Sequence, residues 1–291
     1  MRLFHLVGGA KAPLFGLLLC LLQTSAIARW GLNSPLGLTA IAQTSPWLTV
    51  EGDRQTLNLQ RLAQATTVRI LTPNASGSGA IARRQGPLYT VLTSWHVVAF
   101  SDKHTLLTPD GRQYSFAQPP RQIGNTDMAV VQFRSAANYE VAAIAPAPSQ
   151  GAISSEPLTV GEPVLAAGFP MYRRGTLETT FNLGIRVFHS TRGQISLLPP
   201  KPMSQGYRLG YTNDIEVGMS GGPIFNARGF LIGINGRLKN RDPGFGVYAF
   251  EDVTEPSPET LERAIASSWG IPVSTYIQFV GGGLNAFSCL I

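Results

Sequence analysis

The amino-acid sequence predicts an all-β protein whose short strands are joined by many turns. Glycine and proline contribute 31 and 21 of the 291 residues, about 18% of the chain, against roughly 12% in an average globular protein. The excess has no three-residue period, which excludes a collagen-like fibre, and a hydrophobic content of 44% excludes a disordered chain. Apolar runs of strand length recur between turn signals, a pattern typical of all-β domains.

Residues 1–28 have the three parts of a secretory signal peptide. Arg2 and Lys11 provide a positive start, Leu14–Leu22 is an apolar run, and Ala26-Ile27-Ala28 is a small-x-small cleavage site. The apolar run is much shorter than the about 20 residues that a membrane-spanning helix needs. We therefore expect export to the periplasm, the cell exterior or a lumenal compartment, with no membrane span once the signal is removed.

The position of this cleavage stays open, because Ala40-Ile41-Ala42 is a second small-x-small triplet, and an uncleaved anchor is the alternative. Cleavage would remove Arg2 and Lys11 and so lower the formal net charge from +6 to +4. Such weak basicity, without a block of Lys and Arg, argues against a nucleic-acid partner. Cleavage would also remove Cys20 and leave Cys289 alone, so we expect no internal disulfide.

Two β-units are expected after a leader at residues 29–64, in which Leu57–Ala63 has the pattern of a helical turn or two. The first unit covers residues 65–144, with expected strands at Thr67–Leu71, Gly79–Arg83, Leu88–Thr93, Thr105–Thr108, Gln113–Ala117 and Met128–Phe133. The second unit covers residues 145–252 and begins with an aperiodic linker, Ala145–Glu156. Its expected strands are Pro163–Gly168, Ile185–His189, Gln194–Leu198, Tyr207–Thr212, Pro223–Asn226, Phe230–Asn235 and Phe245–Phe250.

One helix is expected in the C-terminal helix and tail, residues 253–291. Ser257 is a suitable N-cap, Pro258 fits the first helical position, and Glu259 complements the positive end of the helix dipole. The residues expected on its apolar face are Leu261, Ala264, Ile265 and Trp269, and the residues expected to end it are Gly270 and Pro272.

The first segment with catalytic potential is Thr93-Ser94-Trp95-His96-Val97, at the end of an expected strand. An imidazole can accept and return a proton near neutral pH. The apolar neighbours of His96 can bury one face of its ring. Taken alone, a histidine in such a position is more often structural than catalytic.

A carboxylate follows in the same β-unit. Asp127 lies at the mouth of the apolar strand Met128–Phe133, where it can be held partly buried beside an imidazole. Asp102 belongs to a polar loop and Asp110 to a Pro-Asp-Gly turn, so these acids have simpler explanations. Taken alone, Asp127 as a turn residue at the strand start is an equally good interpretation.

The most specific motif is Gly218-Met219-Ser220-Gly221-Gly222-Pro223 in the second β-unit. A nucleophilic hydroxyl needs a sharp turn and backbone N–H groups that point to the place where an oxyanion forms. Glycines remove the Cβ atoms that would obstruct such a turn. A glycine-rich loop without catalytic function is the alternative.

The order His96, Asp127, Ser220 differs from that of α/β-hydrolases, where serine comes first, and of subtilisins, where aspartate comes first. It resembles the chymotrypsin/trypsin-like serine peptidases, and it is closely similar to the compact bacterial domains related to the HtrA peptidases, over roughly residues 65–252. The other segments that carry this resemblance are Gly77-Ser78-Gly79-Ala80-Ile81, Asp127-Met128-Ala129, Ile232-Gly233-Ile234-Asn235 and Gly244-Phe245-Gly246-Val247.

The resemblance implies two six-stranded antiparallel β-barrels that meet at a cleft, and polypeptides as substrates. It implies that His96 is the general base, that Asp127 orients it, and that Ser220 attacks the scissile carbonyl. The backbone N–H groups of Gly218 and Ser220 would form the oxyanion hole. No metal or cofactor is implied, and the oligomeric state is left open.

Two features depart from particular members of this family. Met219 precedes the serine, where digestive members have an acid that receives a newly cut N-terminal amine, so we expect no activation by such a cut. Only residues 253–291 follow Asp252. We therefore expect no separate peptide-binding (PDZ) domain of the kind that ends the HtrA relatives.

The residue preference before the cleaved bond is a weaker prediction. Asp214 lies six residues before Ser220, where trypsin-like members have the acid that selects Arg or Lys. Gly236 and Gly246 could keep the pocket open, and Asn235 is expected on a substrate-facing strand. Several nearby cations could already pair with Asp214, namely Arg208, Arg237, Lys239 and Arg241. A preference for Val or Leu is then the alternative.

The sequence thus predicts an exported serine endopeptidase that works through an acyl-enzyme. A catalytically silent trypsin-like module that binds envelope polypeptides in the same cleft is the alternative, and an esterase on the same machinery is a third option.

Overall fold

The computed structural model describes residues 50–144 and 157–286, all of which belong to the same unit of the chain. The expected signal peptide at residues 1–28, the expected linker at residues 145–156 and Cys289 lie outside the described residues. Among the helices of the described part, none is long and apolar enough to cross a membrane.

The first part of the fold is a helix followed by seven antiparallel strands. Helix α1 spans Val50–Thr66 and is longer than the turn or two that the sequence pattern indicates, while residues 29–49 of the expected leader lie outside the described residues. Leu59 and Ala63 of α1 are buried against the core. The strands are β1 (Thr67–Leu71), β2 (Ser76–Gln85), β3 (Leu88–Ser94), β4 (Thr105–Leu107), β5 (Gln113–Tyr114), β6 (Arg121–Gln122) and β7 (Met128–Arg134), and a short helix, α2 (Trp95–Val98), follows β3.

These strands form a half-barrel sheet in the order β5-β4-β1-β2-β3-β7-β6. Its edge strands, β5 and β6, have two residues each and are joined by residues 115–120. Pro119 and Pro120 in this connection have no N–H to donate, so they cannot extend a ladder that closes the edges. The first unit is therefore a half-barrel of seven strands with open edges, which fits the expected chymotrypsin-like fold of two β-barrels.

The second part is a closed barrel of six antiparallel strands, as the family resemblance implies. Its strands are β8 (Pro163–Gly168), β9 (His189–Leu197), β10 (Leu209–Tyr211), β11 (Pro223–Asn226), β12 (Leu231–Arg237) and β13 (Ser268–Pro272), and the order around the barrel is β10-β13-β12-β11-β8-β9. The all-β prediction and the two-unit architecture agree with this arrangement of half-barrel and barrel.

Two of the predicted strands are wrong. The segment expected at Ile185–His189 is mostly a 3₁₀ turn, Phe181–Val187. The segment expected at Phe245–Phe250 starts in another 3₁₀ turn, Gly244–Gly246, where Phe245 and Gly246 have φ values of 58° and 65°. Positive φ is incompatible with extended backbone, so β13 fills the corresponding place between β12 and β10.

The predicted C-terminal helix is confirmed at its start and wrong at its end. Helix α3 spans Pro258–Ile265, and the Ser257 hydroxyl accepts a hydrogen bond from the Thr260 N–H at 3.3 Å. Trp269 belongs to β13 and not to the helix face, and its indole N–H donates to the Ala264 carbonyl at 2.9 Å. A further helix, α4 (Ser274–Ala286), follows β13.

The two halves share a continuous core, which fixes their relative position. Leu92 and Met128 of the half-barrel belong to the same buried cluster as Leu165 and Phe225 of the barrel. A fully buried cation adds a second link between the halves. The guanidinium of Arg69 on β1 donates to the carbonyls of Thr180 and Gly184 at 3.0 and 2.6 Å.

Candidate active site

The pairing of β3 with β7 brings His96 and Asp127 together. Ser94 at the end of β3 is the partner of Met128 at the start of β7, so the residues just beyond this pair meet. The backbone N–H of His96 donates to Asp127 Oδ1 at 2.8 Å, and His96 Nδ1 lies 2.7 Å from Asp127 Oδ2. The carboxylate is only 4% exposed and the imidazole 45% exposed, so one partner is fixed inside and the other reaches the surface.

The ionised form of Asp127 is stabilised by its hydrogen-bond donors. Burial alone raises the pKa of this carboxyl, but the hydrogen bonds and charge of His96 and the hydroxyl of Tyr207 outweigh burial and hold the pKa below its usual 3.8. Asp127 is therefore a buried anion whose two oxygens both accept hydrogen bonds, which is the state that can orient an imidazole and stabilise its protonated form.

Ser220 lies in the turn between β10 and β11, with two glycines in the left-handed region of the backbone. Gly218 has φ 97° and Gly221 has φ 82°. A Cβ atom on Gly221 would lie 2.3 Å from the Ser78 carbonyl oxygen, and one on Gly218 would lie 2.5 Å from the Met171 nitrogen. Both positions require glycine because of backbone conformation and because of close packing.

Hydrogen bonds tie this turn to the segment that carries His96. The Asn235 carbonyl on β12 accepts the Ser94 hydroxyl at 2.9 Å and the Gly221 N–H at 2.7 Å. The Ser78 N–H also donates to the Ser220 carbonyl at 2.8 Å. The structure thus brings the three predicted catalytic segments to one junction between the halves.

The Ser220 side chain is nearly buried, and its hydroxyl donates to the Gly236 carbonyl at 3.3 Å. Among the described residues it makes no hydrogen bond to His96. The N–H groups of Gly218 and Ser220, expected to form the oxyanion hole, donate to no other group in the described part of the chain, whereas the Met219 N–H donates to the Glu216 carbonyl at 2.9 Å.

The residues expected to bind substrate have different surroundings. Asp214 is 66% exposed, and its Oδ1 lies 2.6 Å from Lys239 Nζ, so its charge is compensated within the chain. Asn235 is fully buried, and its side chain bonds to the Ala167 carbonyl at 2.9 Å. Gly236 packs on the Tyr207 ring, which a Cβ atom would approach to 2.3 Å. Gly246 lies in the 3₁₀ turn outside the barrel strands.

Two residues at this junction were not indicated by the sequence patterns that point to the triad. The Tyr207 hydroxyl donates to Asp127 Oδ2, and the Arg237 guanidinium lies 4.0 Å from the centre of the Tyr207 ring. Tyr207 is 80 residues from Asp127 along the chain. No local pattern indicates such a contact, although a tyrosine in an apolar run needs a partner for its hydroxyl when it is buried.

Comparison with known proteins agrees with these observations. The family model described as "Trypsin-like peptidase domain" matches residues 77–234, more than half of the chain, and this stretch includes His96, Asp127 and Ser220. The chain is 32% identical over 170 residues to "Putative serine protease HhoA" of Synechocystis sp., which covers 58% of this chain and 39% of that protein. It is 29% identical over 162 residues to "Serine protease Do-like HtrA" of Lactococcus lactis subsp. lactis, which covers 55% of this chain and 36% of that protein.

The chain thus spans less than two fifths of the length of these relatives. By the family match and the fold, it belongs to the trypsin-like peptidase domain family.

Proposed function

We propose that this protein is an exported serine endopeptidase in which His96, Asp127 and Ser220 act as a catalytic triad. The observation that carries the proposal is the two-point contact between His96 and the buried carboxylate of Asp127. With Nδ1 bound to the carboxylate, Nε2 remains for proton transfer, and the half-exposed ring is accessible to a substrate.

In the proposed reaction, His96 Nε2 removes the proton from the Ser220 hydroxyl as Oγ attacks the carbonyl carbon of the scissile peptide bond. The tetrahedral intermediate collapses, the C–N bond breaks, and the proton moves from His96 to the leaving amine. A water molecule then repeats the sequence with His96 as base and releases the acid product from Ser220. Asp127 keeps its charge throughout and orients the ring.

The free N–H groups of Gly218 and Ser220 support an oxyanion hole at this turn. Donors that are already in place when negative charge develops contribute a large part of the rate enhancement of acyl transfer. The Ser220 hydroxyl must exchange its bond to the Gly236 carbonyl for one to His96. Such hydrogen bonds often tighten only when substrate is bound.

The proposal also includes export of the chain and a preference for certain residues before the cleaved bond. The names of the relatives describe serine proteases, and the N-terminal signal pattern supports export of this chain. Selection of Arg or Lys by Asp214 would require that a substrate side chain displace Lys239 from its ion pair. The ion pair therefore favours a preference for residues other than Arg and Lys.

A serine-directed phosphonate probe, applied to the full chain, tests the proposal. We expect Ser220 to become labelled, and both Ser220→Ala and His96→Ala to abolish labelling. His189→Gln changes the histidine that begins β9 and pairs with Gly168 on β8; it serves as the matched control and should label like the wild type.

A folded wild-type chain that stays unlabelled would contradict the proposal and favour the silent module that binds polypeptides. Labelling together with turnover of esters but not of peptides would favour an esterase.

A further inference from the structure

We propose that Tyr207 and Arg237 are positioning residues that hold Asp127 from the opposite half of the molecule. This inference rests on the proposed function, because it concerns how the triad aspartate is kept in place. Asp127 and His96 belong to the half-barrel, whereas Tyr207 and Arg237 belong to the barrel.

The hydroxyl of Tyr207 and the ring of His96 share one oxygen of the aspartate. Tyr207 donates to Asp127 Oδ2, the same atom that lies 2.7 Å from His96 Nδ1. Tyr207 is almost completely buried, so water cannot replace its hydroxyl. A charge-assisted bond in such surroundings is stronger than a neutral one.

The backbone around Tyr207 contacts Asp127 as well. We call Met203–Tyr207 the clamp segment. The Gln205 carbonyl in this segment accepts the Asp127 N–H at 2.9 Å. Gly206 packs so closely on Thr126 that a Cβ atom would lie 2.7 Å from its methyl group. Gln205 has φ 67°, a conformation that costs a non-glycine residue free energy and that persists only where surrounding contacts enforce it.

Arg237 supplies contacts that enforce this conformation. Its guanidinium donates to the Ser204 carbonyl at 3.2 Å and to Gln205 Oε1 at 3.0 Å. It also donates to the Val247 carbonyl and lies over the Tyr207 ring. Among the described residues Arg237 pairs with no carboxylate, although it is mostly buried. Its cation therefore acts on the Tyr207 ring and, beyond it, on Asp127.

The charges around this group set the expected sign of a pH effect. The ionisable groups that act on Asp127 or on its two supports are His96, Tyr207, Tyr211, Arg237 and Arg241. Burial and the charge of Asp127 raise the pKa of Tyr207 well above its usual 10, so the hydroxyl stays a donor. Its removal would leave more negative charge on Oδ2 and would favour the imidazolium form of His96.

The test compares Tyr207→Phe with Tyr248→Phe in the full chain, using peptide hydrolysis as a function of pH. Tyr207→Phe removes one oxygen atom and keeps the ring on which Gly236 packs. Tyr248 is a second largely buried tyrosine of the second half, and its hydroxyl lies 3.5 Å from the Arg241 carbonyl. We expect Tyr207→Phe to lower kcat/KM roughly tenfold, the loss of one bond to a charged group. We expect kcat to fall and KM to stay nearly the same. We also expect the acid limb of the pH–rate profile to move to higher pH.

Arg237→Lys provides a second variant that keeps the charge but not the planar fork of donors. We expect a smaller loss in kcat than for Tyr207→Phe, because the Tyr207 hydroxyl remains. Thermal unfolding of all variants separates these effects from misfolding.

The outcomes distinguish this inference from the proposed function. An inactive wild-type chain would overturn both. An active wild type with a Tyr207→Phe variant that behaves like Tyr248→Phe would overturn the inference alone. So would a loss of activity with an unmoved acid limb, because that result indicates a merely structural tyrosine.

Discussion

The two regions that meet at the candidate site are held in different ways. Around Asp127, side-chain hydrogen bonds from His96 and Tyr207 fix the geometry. Around Ser220, backbone packing fixes it, since Cβ atoms on Gly221 and Gly222 would lie 2.3 and 2.1 Å from carbonyl oxygens. The first region is therefore sensitive to charge and pH, and the second to volume and backbone conformation.

The largest effect is expected from Asp127→Asn, which removes the charge and keeps the shape. An amide at this position favours the wrong tautomer of His96, and loss of a triad carboxylate in this way lowers kcat by about 10⁴-fold. Peptide hydrolysis near neutral pH measures the effect. Asp102→Asn, in the loop after α2, is the control and should stay close to wild type. An Asp127→Asn variant within tenfold of the wild type would show that this region does not depend on charge.

Gly221→Ala tests the other region. A Cβ atom would clash with Ser78 and Thr93 at 2.3 Å, at a φ of 82°. We expect the free energy of unfolding to fall by about 3 kcal/mol, from backbone strain and overpacking together, and labelling of Ser220 to be lost.

Gly161→Ala is the matched control for this change. Gly161 has φ 91°, and a Cβ atom there would have no neighbour within 4 Å, so only backbone strain of about 1 kcal/mol is expected. Urea denaturation compares the two variants. Equal losses of stability would mean that close packing does not hold the serine turn.

The sequence predicts some residues of the candidate site and not others. His96, Asp127 and Ser220 lie in short segments whose residue types indicate their chemistry. The order of the three residues along the chain indicates the family. Tyr207 and Arg237 could not be found in this way, because their contacts to the aspartate region come from the folding of one half on the other. A local pattern carries no information on such a pairing.

Local sequence patterns also predicted the wrong secondary structure in two segments. Gly270 and Pro272 indicate the end of a helix, yet both lie in β13. Gly270 packs tightly there, since a Cβ atom would lie 2.5 Å from Ile224 Cδ1. Phe245 and Val247 suggest a strand, yet positive φ values at Phe245 and Gly246 prevent it. In both places tertiary packing overrides local propensity.

A smaller effect is expected in the pH dependence of stability. The pKa of Asp127 in the folded protein is lowered below its usual 3.8 by the bonds from His96 and Tyr207, which outweigh burial. The ionised carboxylate therefore stabilises the fold above about pH 4, and this stabilisation is lost as the pH falls through the lowered pKa. Below pH 4 we expect the free energy of unfolding to fall more steeply in the wild type than in Asp127→Asn, by at most about 1.4 kcal/mol per pH unit. Urea denaturation between pH 3 and 7 measures the two slopes, and equal slopes would contradict the prediction.

The smallest effect concerns Asp214, a carboxylate that is exposed where Asp127 is buried. Asp214 is 66% exposed, and its partner Lys239 is 31% exposed. Because an exposed ion pair contributes about 0–1 kcal/mol, Lys239→Ala should leave the stability almost unchanged. It frees the charge of Asp214, so kcat/KM for peptides with Arg before the cleaved bond should rise several-fold relative to peptides with Leu or Val.

Two controls accompany this prediction. Asp214→Asn combined with Lys239→Ala should cancel the gain. Arg173→Ala, which breaks the surface ion pair with Glu178, should leave the substrate preference unchanged. A wild type that already prefers Arg, with a preference that Asp214→Asn does not reduce, would mean that another group selects the substrate. Cleavage by Ser220 would then not depend on Asp214, and the group that selects Arg would lie elsewhere at the cleft.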